Sequence, residues 1–83
     1  MPVLSRFNGI IIRMYFQQAE HNPPHIHAIY HEDVAAVCIN DMKILEGSLP
    51  PKILLMVQKW VSLHQNELLQ IWETQHFIKL PPL

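Results

Sequence analysis

The chain has 83 residues, of which 49% are hydrophobic and 16% charged, with a net charge of −1 at pH 7. Such a composition describes one small folded domain and excludes a disordered chain. The near-neutral balance, without any lysine/arginine block, gives no broad electrostatic footprint for nucleic acid, and no DNA binding is predicted.

A domain this small buries only roughly 60% of the surface its unfolded chain exposes. Its low charge predicts that part of the surface is covered by another chain, either a small partner protein or a second copy. Cys38 is the single cysteine, so no intramolecular disulfide forms, which fits a cytoplasmic protein. The first residues, MPVLSRFNGIIIRMYF, do not read as a signal peptide, and no run approaches the length of a membrane span.

Residues 9–16, GIIIRMYF, alternate. Ile10, Ile12, Met14 and Phe16 share one face, and Ile11, Arg13 and Tyr15 share the other, which predicts a strand that Gly9 starts. QQAEHNPP breaks the pattern, because Pro23 and Pro24 cannot donate to a sheet ladder and keep the backbone extended. HIHAIYH, 25–31, is the next strand. Period two sends Ile26, Ala28 and Tyr30 one way and His25, His27, Ile29 and His31 the other. HEDV is a turn, VAAVCI (34–39) a third strand, NDM a turn, and KILEG a short fourth strand that Gly47 ends.

From Pro51 to about Gln75 the period changes to 3.6. Leu54, Val57, Val61, His64, Leu68 and Trp72 form an apolar stripe, with Ser48 as a cap and prolines suited to a first turn. Gln65-Asn66 kinks or divides this helix. Trp60 and Trp72 are core or interface anchors. Residues 77–83 are a C-terminal tail. The fold class is α+β: an antiparallel meander of three or four strands with one long helix, kinked or split in two, packed on one face.

Four of the six histidines lie between positions 21 and 31: His21, His25, His27 and His31. Three uses remain open for them. His25 and His27 are two apart on a strand, roughly 7 Å at Cα, and converge on one ion if His21 adds a third ligand. That reading makes the cofactor zinc or another divalent transition metal. Alternatively, His25 and His27 share base and acid work in RNA cleavage, with Arg13 or Lys43 steadying a phosphate. In the structural alternative, His25 locks the Pro-Pro turn and His27 is a half-buried, satisfied ring. His64 belongs to the edge of the core.

The succession SRFNGIIIRMYF, HNPPHIHAIY, LEGSLPPKILLMVQKW and LHQNELLQIWE resembles domain of unknown function family 4160, a group of small bacterial proteins. Pro24-His25-x-His27 and Leu49-Pro50-Pro51 are the most specific parts. The resemblance implies pairing with a second small protein, of domain of unknown function family 2442, in a toxin–antitoxin-like module. A fainter similarity to HicA-type messenger-RNA-cleaving toxins places their histidine at His25. Those toxins are usually basic and carry Gly-Ser where this chain has Pro23-Pro24.

Overall fold

The structure, a computed structural model, describes residues 2–15 and 23–83. Five strands form one antiparallel sheet in sequential order: β1 (Val3–Phe7), β2 (Ile10–Arg13), β3 (His25–Tyr30), β4 (Asp33–Cys38) and β5 (Ile44–Gly47). Two helices follow, α1 (Pro51–Leu63) and α2 (Gln65–Thr74). The α+β class and the meander therefore stand, the strand number is corrected to five, and of the helical alternatives the helix split in two is the one found.

The added strand is β1. Asn8 and Gly9, with φ of 49° and 79°, form the two-residue turn that joins Phe7 to its partner Ile10. A hairpin of this kind needs positive φ at both central residues, which Asn and Gly supply at least cost. Gly9 thus closes a hairpin and does not merely open a strand.

Strict alternation sends Ile10, Ile12, Met14, Ile26, Ala28, Ala35 and Val37 into the core. α1 covers that face with Ile53, Val57, Trp60 and Val61, and α2 adds Leu68 and Ile71. The spacing is that of one helical stripe running across both helices. α1 begins at Pro51 with Pro50 as its N-cap residue and no side-chain cap bond, so Ser48 is not the cap. Proline at the first turn removes an N–H that would have lacked a partner.

The helix divides at His64, one residue before the expected position. Its φ of −116° leaves the helical region, and its N–H is shared between the carbonyls of Trp60 and Val61. Gln65 Nε2 donates to the Ile39 and Asn40 carbonyls, which ties the break to the end of β4. α2 ends with Gln75 in the left-handed conformation, its N–H bonded to the Ile71 carbonyl.

The tail is docked along the sheet. Leu80 is only 5% exposed, its N–H donates to the Leu4 carbonyl, and Trp60 Nε1 donates to the Pro81 carbonyl. No helix among the described residues is long and apolar enough to cross a membrane.

Gly47 ends β5 at φ +81°, and a Cβ there would collide with the Val34 carbonyl oxygen. Both the dihedral and the contact reject a side chain. Gly47→Ala is expected to cost at least about 1–3 kcal/mol in urea unfolding; an unchanged midpoint would show that β5 yields freely.

Candidate functional site

The helices cover one face of the sheet, and the histidine strand shows its imidazoles on the other. Pairing across the strands aligns Val3, Arg13, His27, Ala36 and Glu46 in one row over this open face. Arg13 is the direct cross-strand partner of His27. Lys43, the other cation considered, sits in the turn between β4 and β5, its N–H bonded to Asp41 Oδ1.

His25 lies at the start of β3, at the rim of the sheet. Its Nδ1 is 2.9 Å from the Pro23 carbonyl oxygen. A carbonyl only accepts, so Nδ1 carries the proton and Nε2 is turned to other use. The ring stands 5.2 Å from the His27 ring and 5.0 Å from Trp72 of α2. Trp72 thus serves as a wall for His25. The Pro-Pro segment contributes directly, since Pro23 fixes the His25 tautomer and the Pro24 carbonyl accepts from the Ile39 N–H.

His27 sits between Arg13, Tyr15 and His25. The Tyr15 ring meets it edge-on at 4.2 Å. Burial pushes its pKa below the ordinary 6.5, the neighbouring His25 adds to this, and Glu46 pulls weakly the other way. The ring is neutral at pH 7. His27 Nδ1 and Arg13 Nε are both shielded from solvent and have no hydrogen-bond partner among the described residues. Leaving a buried polar atom unpaired costs about 1–3 kcal/mol, so two such atoms on paired residues form a costly spot. The satisfied-ring alternative does not describe His27, although His25 does hold the turn.

Beyond His27 the face is hollow. Ala36 is small and only 6% exposed. Pro23, His25, His27, Ala36, Leu45 and Glu46 enclose a depression of about 320 Å³. A second, of about 300 Å³, continues from it past Val34 and Gly47. Tyr15 and Glu46 belong to the site and were not among its sequence candidates. Alternation had placed Tyr15 on the face of Arg13; Glu46 becomes visible only once β5 is paired.

Among the described residues, no three His, Cys, Asp or Glu side chains are grouped to hold a metal ion. His21, the third ligand of the metal reading, lies outside the described residues. His64 rests on Trp60 at 5.0 Å and pairs with Glu67 at 3.0 Å. His31 is an exposed turn residue with φ of 53°.

Because the native ring of His27 holds its proton less well than an unfolded one, protonation favours unfolding. Stability from this group is complete above pH 6.5 and is lost as the pH falls below that value. Melting temperatures from pH 7.5 to 5 are expected to fall more for the natural protein than for His27→Gln. Parallel curves would show that His27 titrates like a free histidine.

Fold and site together define a small α+β protein with a helix-covered sheet and an open face centred on His25, His27 and Arg13. A family model described as a domain of unknown function, DUF4160, matches residues 9–73 of the chain, so the protein belongs to that family. No curated protein and no solved structure matches it.

Proposed function

We propose that this protein is the RNA-acting member of a small two-protein, toxin–antitoxin-like module in the bacterial cytoplasm. The observation that carries the proposal is the Arg13–His27 pair, two cross-strand residues with unpartnered nitrogens beside a second imidazole. A guanidinium beside imidazoles is suited to a phosphodiester, since its N–H groups match phosphate oxygens. RNA, unlike DNA, brings its own nucleophile in the 2′-OH.

His27, neutral at pH 7, takes the proton from the 2′-OH as that oxygen attacks the adjacent phosphorus. His25, acting as the imidazolium with its Nδ1–H held by the Pro23 carbonyl, gives its Nε2 proton to the departing 5′ oxygen as the bond from that oxygen to phosphorus breaks, and is left neutral. Arg13 balances the charge that gathers on the phosphoryl oxygens. The products are a 2′,3′-cyclic phosphate and a 5′-hydroxyl end. The partner is a second small protein, supported by the family resemblance and by the low surface charge.

Incubating the purified protein with a short single-stranded RNA in EDTA tests this reading. Cleavage to cyclic-phosphate ends is expected, and intact RNA would contradict it. The alternative, a metal- or ligand-binding module without catalysis, uses the same two imidazoles together with His21. It predicts instead a rise in melting temperature with zinc that His25→Ala removes.

A further inference from the structure

The hollow beside His27 is lined asymmetrically. Its floor and sides are apolar at Ala36, Leu45 and Val34, and a single carboxylate, Glu46, stands at its far side. Glu46 lies two strands from His27, roughly 10 Å at a strand spacing near 4.8 Å. Glu46 and His27 line both depressions together, so the carboxylate and the imidazole border the same hollow. A slot with Ala36 at its floor, imidazoles on one side and one carboxylate on the other takes a flat ring that presents donors on one edge. Arg13 stands in the same row two strands from Ala36, roughly 10 Å at that spacing, on the opposite side of His27.

We infer that Glu46 is a specificity-determining residue that holds the Watson–Crick edge of a guanine lodged over Ala36. Guanine places two adjacent N–H donors, N1–H and N2–H, where both carboxylate oxygens receive them. Adenine and cytosine each put a ring acceptor beside their amino group, facing the carboxylate with a lone pair. Uracil offers one N–H between two carbonyls. The inference rests on the RNA reading above and narrows its substrate to RNA with guanosine next to the scissile phosphate.

Isothermal titration with the four nucleoside 3′-monophosphates tests it, on the natural protein and on Glu46→Gln. Glu46 is exposed on an edge strand, so the substitution leaves the core untouched. Guanosine 3′-monophosphate is expected to bind roughly 10-fold or more tightly than the other three, and Glu46→Gln to erase that preference. Equal binding of all four, or a guanine preference that survives Glu46→Gln, overturns the inference. If RNA is still cleaved, the RNA reading stands without it. Absence of binding by any nucleotide overturns the inference as well, and with uncleaved RNA it overturns both.

Discussion

Trp60→Ala is expected to remove about 3–5 kcal/mol of stability, the range for deleting a fully buried large aromatic side chain. Trp60 has no exposed surface and stacks on Phe7 with ring centroids 6.0 Å apart. Its Nε1 also donates to the Pro81 carbonyl. One residue therefore joins α1, β1 and the C-terminal tail. An 83-residue domain has a total stability of only roughly 0.05–0.15 kcal/mol per residue, about 4–12 kcal/mol, so the variant loses about a quarter of it or more. Trp60→Phe keeps most of the apolar bulk and loses the hydrogen bond, so a smaller loss of about 1–3 kcal/mol is expected. Urea unfolding followed by circular dichroism measures both. A loss below about 1 kcal/mol for Trp60→Ala would mean that the tail and helix stay docked without this anchor.

His27→Ala is expected to lower RNA cleavage by roughly 10²–10⁴-fold, the usual contribution of a positioned base. His25→Ala should lose a similar amount, because acid and base act in one step. Truncating His27 relieves one unpaired nitrogen, so the fold should survive and the stability change should be small or favourable. That combination separates a functional histidine from a structural one. A structural His27 would show the reverse: lower melting temperature with unchanged cleavage.

Much of this arrangement could be read from residue order alone. Alternation in GIIIRMYF and HIHAIYH put Ile10, Ile12, Ile26 and Ala28 inside and Arg13, His25 and His27 together on the other face, and the structure places them so. β1 escaped because VLSRF does not alternate cleanly: its pairing with β2 shifts register between Val3 and Ser5. The Asn8-Gly9 pair is the local signal that could have revealed it. The helix break was legible at Gln65-Asn66 and falls one residue earlier, because His64 continues the apolar stripe and its ring packs on Trp60 while the backbone turns. Glu46 was out of reach for a different reason. A four-residue strand says nothing about its neighbours until the sheet order brings it into the row of His27. The hollow itself is a negative feature, with the small Ala36 between His27 and Glu46, and only assembled strands show it.

The central claim is that the open sheet face is the working surface and that its ligand is RNA. Titrating a short single-stranded RNA into ¹⁵N-labelled protein and following the backbone amide resonances tests this most directly. The largest shifts are predicted at Arg13, Tyr15, His25, His27, Ala36 and Glu46, with α1 unaffected. Shifts confined to the helices, or no shifts at RNA concentrations that saturate cleavage, would contradict the assignment of this face.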